Sequence, residues 1–130
     1  MRVLFVDDDA MNRRVVRDML SVAGITLDEA ADGAAGLEMV DREEFGVILM
    51  DLRMPGMDGM EATRRIRARD DHKANWPIII VTADTSMDIR AKCMAQGADE
   101  VLMKPVAMQP LLKTMAAMVA ARAKQRTKTA

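Results

Sequence analysis

The sequence predicts an α/β fold, a doubly wound sheet of five parallel strands covered by five helices. Three observations support this prediction. Five short and nearly continuous apolar runs occur along the 130 residues, as is typical of strands that are buried on both faces. A segment with helical periodicity follows each run. Such alternation is typical of a parallel sheet with right-handed crossovers and helices on both faces.

The first two strand and helix pairs occupy the N-terminal third of the chain. Residues 2–6 form the first predicted strand, and residues 11–23 carry apolar side chains at helical spacing. Gly24 is expected to end that helix, because glycine readily adopts the left-handed conformation found there. A second strand is predicted over residues 25–31, and Asp32 is expected to cap the second helix.

The middle of the chain contains the most strongly apolar strands. Residues 46–50 form the third predicted strand, and a loop rich in proline and glycine follows at residues 54–59. The third helix is predicted over residues 60–69. Residues 77–81, rich in isoleucine and valine, form the fourth strand, which ends at Thr82. These runs are typical of central strands.

The last third contains the fourth helix, the fifth strand and the fifth helix. Ser86 is expected to cap the fourth helix, and Gly97 is expected to end it. The fifth strand is predicted over residues 101–103, just before Lys104. Residues 111–119 carry the apolar periodicity of a last amphipathic helix.

Composition excludes several classes of protein. Half of the residues are hydrophobic and the formal net charge is −1, so the sequence indicates neither disorder nor nucleic-acid binding. The single cysteine, Cys93, cannot form an internal disulfide. No apolar run approaches the roughly 18 residues of a membrane span. We therefore expect one cytoplasmic domain that binds neither nucleic acid nor membrane.

Polar residues follow four of the predicted strands. They are Asp7, Asp8, Asp51, Thr82 and Lys104. Because the carboxyl ends of parallel strands meet at one edge of the sheet, we expect these side chains to converge there. Clustered carboxylates repel one another unless a cation lies among them, and Mg²⁺ prefers oxygen ligands. The sequence therefore predicts an Mg²⁺ site.

The same cluster is suited to phosphoryl transfer. A carboxylate such as Asp51 is already deprotonated and acts as a nucleophile on phosphorus without a general base. Lys104 and the Thr82 hydroxyl are suitable donors to phosphoryl oxygens. With Mg²⁺ bound, the formal charges of the three aspartates, the metal and the lysine sum to zero. An arriving phosphoryl dianion would then meet no net repulsion.

Four motifs, in this order, carry a resemblance to a known family. They are Val6-Asp7-Asp8, Met50-Asp51-Leu52-Arg53-Met54-Pro55-Gly56-Met57-Asp58-Gly59, Thr82-Ala83 and Lys104-Pro105. Over essentially the whole chain, the sequence resembles the receiver domain of two-component response regulators. The resemblance implies a flavodoxin-like fold with strand order 2-1-3-4-5.

The resemblance also implies roles for individual residues. Asp51 would be the phosphoacceptor, and Thr82 and Lys104 would contact the phosphoryl group. The metal ligands would come from the acidic pair, the acceptor and one backbone carbonyl. They are Asp7, Asp8, Asp51 and the carbonyl of Arg53. The peptide bond between Lys104 and Pro105 is cis in relatives.

The partners implied by the resemblance are proteins. The phosphoryl donor would be a phosphohistidine on a histidine kinase or a histidine phosphotransfer protein. Output would pass to a downstream protein through the fourth helix, the fifth strand and the fifth helix. Relatives carry an aromatic switch residue three positions before the lysine, where this chain has Val101. The conformational output is therefore harder to predict than the chemistry.

Two positions beside the site vary among relatives. Arg53 and Asp84 each lie two residues beyond a site residue. They are expected either to pair across the site and hinder water, or to form a solvated pair or none. The first alternative would change the lifetime of the phosphoryl group.

The expected organisation is a receiver domain over residues 1–121 and a basic tail over residues 122–130. The tail's cations indicate either an anionic partner or the usual preference for cations near a helix C-terminus. We expect no DNA-binding output domain, and hence either a stand-alone relay protein or a receiver taken from a longer chain.

Two other functions compete with the signalling switch. Phosphohydrolases of the haloacid-dehalogenase type also use a nucleophilic aspartate, Mg²⁺, a threonine and a lysine. Their nucleophile lies in an Asp-x-Asp-x-Thr motif, and residues 7–11 have the acidic spacing without the threonine. The other alternative is a binding module that works without phosphorylation. It would require the loss of a site residue, and none is missing.

Overall fold

A computed structural model describes the backbone of residues 1–129 and the side chains of residues 1–121. The strands are β1 (Arg2–Val6), β2 (Thr26–Ala30), β3 (Val47–Asp51), β4 (Ile78–Thr82) and β5 (Glu100–Met103). The helices are α1 (Ala10–Val22), α2 (Gly33–Arg42), α3 (Gly59–Arg67), α4 (Ile89–Ala95) and α5 (Met108–Thr129). A short 3₁₀ turn at His72–Asn75 precedes β4. The predicted alternation of strand and helix is confirmed.

The five strands form one parallel sheet in the order β2-β1-β3-β4-β5. This is the predicted order. β3 and β4 lie in the interior of the sheet and are completely buried, as their apolar runs indicate. Two apolar layers cover the two faces of the sheet. One is built around Leu4, Ile48 and Ile80, and the other around Phe5 and Leu49.

Helix boundaries follow from capping. Asp32 accepts a hydrogen bond from the backbone N–H of Ala35 and so caps α2, as predicted. Gly24 and Gly97 have positive φ angles of 76° and 111°, which suits residues that follow a helix. These three predictions are therefore confirmed.

The predicted cap of α4 is wrong. The helix begins at Ile89, and Ser86 contributes only its backbone carbonyl, which accepts from the N–H of Ile89 at 3.2 Å. The N–H of Ser86 donates to Asp84 Oδ1 at 2.8 Å instead. This side-chain turn uses three residues before the helix begins, so Ser86 lies too early in the chain to cap it.

The basic side chains expected in a tail at residues 122–130 lie outside the described side chains, so that expectation stays a prediction. Among the described residues, no helix has both the length and the apolar character needed to cross a bilayer.

Candidate functional site

The predicted site residues meet at one edge of the sheet. Asp7 directly follows β1, Asp51 ends β3, Thr82 ends β4 and Lys104 directly follows β5. The strands are parallel and paired in register, with Asp51 beside Val81 on the neighbouring strand. The four carboxyl ends therefore lie side by side, as expected from the topology.

Lys104 is the cation at the centre of this edge. Its Nζ lies 3.0 Å from Asp51 Oδ1 and 3.1 Å from Asp7 Oδ2. Both carboxylates are buried, whereas the lysine is half-buried. One ammonium group thus bridges two carboxylates that would otherwise repel each other.

Further hydrogen bonds hold the Asp7 carboxylate in place. Its Oδ1 accepts from the backbone N–H of Asp9 at 2.9 Å, and its Oδ2 accepts from Asn12 Nδ2 at 3.4 Å. Asp9 itself caps α1, because its Oδ1 accepts from the N–H of Met11 at 2.9 Å. The two acids therefore have different roles, since Asp7 faces the site and Asp9 caps α1.

The acidic residues fit a hard divalent cation. Asp7, Asp8 and Asp51 each place a carboxylate oxygen so that all three lie within 4.8 Å of one another. All three donors are oxygens, and Asp8 is exposed to solvent, which leaves room for water ligands. This donor set is the kind that Mg²⁺ prefers.

Burial and charge change the acidity of the site. Burial, together with the negative charge of Asp7, raises the pKa of Asp51 to about 6, although the hydrogen bond from Lys104 acts in the opposite direction. Burial alone would lower the pKa of Lys104, but its contacts with Asp51 and Asp7 outweigh this and raise it. Lys104 is therefore a stable cation, and Asp51 is an ionised carboxylate at neutral pH.

Thr82 and Asp84 connect β4 to the loop before α4. The Thr82 hydroxyl oxygen accepts from the N–H of Asp84 at 3.0 Å. Asp84 Oδ2 also accepts from Arg53 Nη2 at 2.8 Å, across the mouth of the site. Hydrogen bonds from Ser86 and from Arg53 hold the pKa of Asp84 down at about 2. The pair between Arg53 and Asp84 is thus present, and whether it hinders water or is simply solvated stays a prediction.

These residues line an open cleft of about 480 Å³. The start of α3 packs tightly against the end of β3, since a Cβ atom on Gly59 would lie 2.3 Å from the carbonyl oxygen of Asp51. Only glycine permits this approach of the helix to the strand end. Arg53 lines the same cleft, between β3 and α3.

Comparison with known proteins agrees with this geometry. The sequence profile of the response regulator receiver domain matches residues 3–116. The chain belongs to this family. Response regulator MprA of Mycobacterium leprae is 38% identical over 119 residues, which cover 92% of this chain and 51% of that protein. This receiver domain thus spans about half the length of the curated relatives it matches.

Solved structures are similar over nearly the whole receiver domain. The chemotaxis response regulator CheY4 of Vibrio cholerae is 35% identical with a TM-score of 0.82, over 90% of this chain and 97% of that one. The receiver domain of the sensor histidine kinase PA1611 of Pseudomonas aeruginosa is 32% identical with a TM-score of 0.83, over 92% of this chain and 97% of that one. In the PA1611 structure a magnesium ion is coordinated in the active-site cleft.

The receiver domain also contains site contacts that sequence reasoning missed. The guanidinium of Arg13 donates to the carbonyl oxygen of Asp7, and Asn12 contacts its carboxylate. Neither residue is among the site residues that the sequence predicts. The sequence offers one signal for these contacts: both residues lie in the first turn of the helix that follows Asp7. The peptide bond between Lys104 and Pro105 is cis, as the resemblance implies.

Proposed function

We propose that this receiver domain is the phosphoacceptor of a two-component phosphorelay, and that Asp51 accepts the phosphoryl group. The donor is a phosphohistidine on a histidine kinase or a histidine phosphotransfer protein. One observation carries the proposal: the buried Asp51 carboxylate ends a central strand, contacts Lys104 at 3.0 Å and opens into a cleft with two further carboxylates.

The transfer is a displacement at phosphorus. An Asp51 carboxylate oxygen forms the new P–O bond while the P–N bond to the donor imidazole breaks, and the imidazole nitrogen keeps the electron pair. Lys104 and the Thr82 hydroxyl donate to the phosphoryl oxygens. Asp51 needs no base, because it is already ionised above its pKa of about 6. The domain catalyses only its own phosphorylation and dephosphorylation.

The proposed metal ligands are Asp7, Asp8, Asp51 and the backbone carbonyl of Arg53. When bound, Mg²⁺ supplies positive charge that neutralises the acidic cluster and the phosphoryl oxygens. Without it, three carboxylates and Lys104 leave a formal charge of −2 to repel the incoming dianion. The clustered carboxylate oxygens and the magnesium in the similar PA1611 receiver support this proposal.

Output is proposed to reach a downstream protein through the face formed by α4, β5 and α5. Three methionine side chains on and beside this face are exposed, namely Met87, Met94 and Met103. Methionine is flexible and suits adaptable protein contacts. β5 is also an edge strand of the sheet. We propose a cytoplasmic location for this relay and partners that are proteins rather than nucleic acid.

The decisive experiment compares the wild-type chain with Asp51→Asn and with Asp70→Asn, an exposed acid outside the cleft. Each is incubated with Mg²⁺ and a small phosphodonor, and intact mass is measured. We expect a phosphoryl adduct on the wild type and on Asp70→Asn but not on Asp51→Asn. An adduct that persists in Asp51→Asn would overturn the proposal, and steady phosphate release from many phosphoesters would favour a hydrolase.

A further inference from the structure

We infer that Arg13 is a positioning residue for the metal site: it holds the backbone between Asp7 and Asp8 and thereby sets where the Asp8 carboxylate lies. This inference rests on the proposed function, because it concerns the same Mg²⁺ site. Arg13 itself touches neither the metal position nor the phosphoryl group. It acts through the main chain that carries both acids.

Arg13 is clamped between two elements. Its Nη1 donates to the carbonyl oxygen of Asp7 at 2.6 Å, and its Nε donates to Glu29 Oε1 at 3.1 Å. Its side chain is only 16% exposed, although it projects from the N-terminal part of α1. The planar fork of a guanidinium can serve both acceptors at once, whereas a lysine ammonium is a point charge on a flexible stem.

Glu29 provides a fixed anchor for this fork. It lies on β2, directly beside Phe5 of β1, and its second oxygen accepts from Arg17 Nη1 at 2.9 Å. The guanidinium of Arg13 is therefore tied to the sheet rather than to a mobile surface group. Charge-assisted hydrogen bonds of this kind are stronger than neutral ones.

The main chain at Asp7 is consequently held on both sides. Its N–H donates to the carbonyl of Ala30 at 3.1 Å, and its C=O accepts from Arg13. That carbonyl belongs to the planar peptide that joins Asp7 to Asp8, so its direction also fixes the start of residue 8. None of the described residues donates a hydrogen bond to the Asp8 carboxylate. The direction of its backbone therefore sets where this exposed acid begins.

Positioning and plain electrostatics predict opposite effects on metal binding. If Arg13 acted only through its charge, its removal would strengthen Mg²⁺ binding, because a nearby cation repels the metal. If it positions the acidic pair, removal loosens the Asp8 backbone and weakens binding. Loss of such an outer contact typically costs roughly tenfold or more in metal affinity. The sign of the change therefore distinguishes the two mechanisms.

Arg17 offers a matched control. It shares Glu29 with Arg13 and projects from the same helix, but among the described residues its side chain bonds to Glu29 alone, and it is 48% exposed. Replacing Arg17 removes one cation and one contact to Glu29 while leaving the contact to the Asp7 carbonyl intact. Any effect specific to the Asp7 carbonyl will be absent from Arg17→Met.

The test is an Mg²⁺ titration of the full chain. Calorimetry measures the affinity, and the amide NMR signals of residues 8 and 9 report the local backbone. The variants are Arg13→Met, Arg13→Lys and Arg17→Met, with Glu29→Gln as a milder change of the anchor. We expect Arg13→Met and Arg13→Lys to weaken binding roughly tenfold, Glu29→Gln to weaken it less, and Arg17→Met to bind like the wild type. Thermal melting checks that each variant is folded.

Three outcomes would overturn the inference. If the Arg13 variants bound Mg²⁺ as tightly as the wild type or more tightly, the positioning role would be overturned and the proposed function would stay intact. Equal weakening in Arg17→Met would assign the effect to charge or to general stability. A wild-type chain that binds no Mg²⁺ would contradict the proposed metal site itself, and the positioning role with it.

Discussion

Lys104 and Asp51 form an ion pair of 3.0 Å in which the lysine also contacts Asp7 at 3.1 Å. The cation comes from the end of β5 and the carboxylates from the ends of β3 and β1. Lys104 therefore neutralises part of the negative charge that a bound metal would otherwise neutralise alone. Removing it should affect metal binding and phosphorylation in opposite directions.

Lys104→Met keeps the length of the side chain and removes its charge. We expect this variant to bind Mg²⁺ more tightly, by about fivefold, because the carboxylate cluster becomes one unit more negative in a partly buried site. Phosphorylation by a small donor should nevertheless slow by roughly 100-fold, since a donor to the phosphoryl oxygens is lost. Mg²⁺ calorimetry and the rate of adduct formation measure the two effects.

The matched control for this variant is Lys113→Met, an exposed lysine on α5 that does not line the cleft. It should leave both measurements unchanged. If Lys104→Met weakened Mg²⁺ binding instead, the lysine would be positioning the carboxylates rather than competing with the metal.

Asp51→Asn should stabilise the metal-free fold at neutral pH. The folded-state pKa of Asp51 is raised to about 6, chiefly by burial, so the folded protein binds more protons than the unfolded chain below that pH. Stability from this group is thus fully present below about pH 4 and is lost as pH rises through about 6. The variant does not lose this stability, so its free energy of unfolding should exceed that of the wild type by about 1–3 kcal/mol at about pH 7.5.

Urea unfolding in the presence of a chelator, from about pH 4 to pH 8, measures this difference. We expect the difference in free energy of unfolding between Asp51→Asn and the wild type to shrink towards acidic pH. At neutral pH, Mg²⁺ should reduce the same difference by stabilising the wild type. Asp70→Asn should show no such trend. A variant that is less stable than the wild type at neutral pH would contradict the burial of an ionised Asp51.

Sequence reasoning predicted the strand ends because long-range placement followed from a simple rule. Once residues 46–50 and 77–81 are interpreted as central parallel strands, Asp51 and Thr82 directly follow them and must share one edge of the sheet. The contact of Arg13 with the Asp7 carbonyl follows from no such rule. It depends on which direction a helical side chain takes and on Glu29 of another strand, which the sequence pattern does not specify.

The start of α4 shows the same limit at short range. Asp84 and Ser86 both favour local side-chain turns, and either is a reasonable helix cap by residue type. In the structure the Asp84 carboxylate accepts from the N–H of Ser86 and from Arg53, which the sequence places 31 positions earlier. The contact with a distant loop selects among local conformations that residue type alone leaves equivalent.

The pair between Arg53 and Asp84 should contribute little to stability. The Arg53 side chain is 75% exposed, and exposed ion pairs typically contribute about 0–1 kcal/mol. We expect Arg53→Ala to change the free energy of unfolding by less than about 1 kcal/mol. Asp84→Ala should cost more, because it also removes the acceptor for the N–H of Ser86.

The same two variants test whether the pair controls water access to the phosphoryl group. If the pair is simply solvated, the aspartyl phosphate should decay at a similar rate in the wild type and in Arg53→Ala. A decay that accelerates severalfold in both single variants, with no further increase in the double variant, would show that the pair shields the site. Radiolabel retention over time gives these rates.

Thr82 should couple the site to α4 even though Val101 replaces the aromatic residue of relatives. The Thr82 hydroxyl oxygen already accepts from the N–H of Asp84 at 3.0 Å, so movement of that oxygen towards a phosphoryl group alters this hydrogen bond. Val101 packs against the apolar layer that contains Ile80 and is only half-buried. It has no ring to rotate inward.

We therefore expect the beryllofluoride mimic of the phosphoryl group to shift amide NMR signals most at residues 83–88 and less at residues 100–103. Thr82→Val removes the hydroxyl at similar volume and should suppress the shifts at residues 83–88 while Mg²⁺ still binds. Thr82→Ser retains the hydroxyl and should preserve them. Thr82 is the one side chain on β4 that carries a hydroxyl. Shifts that persist in Thr82→Val, or that are largest along β5, would therefore mean that the conformational change leaves the site by another route.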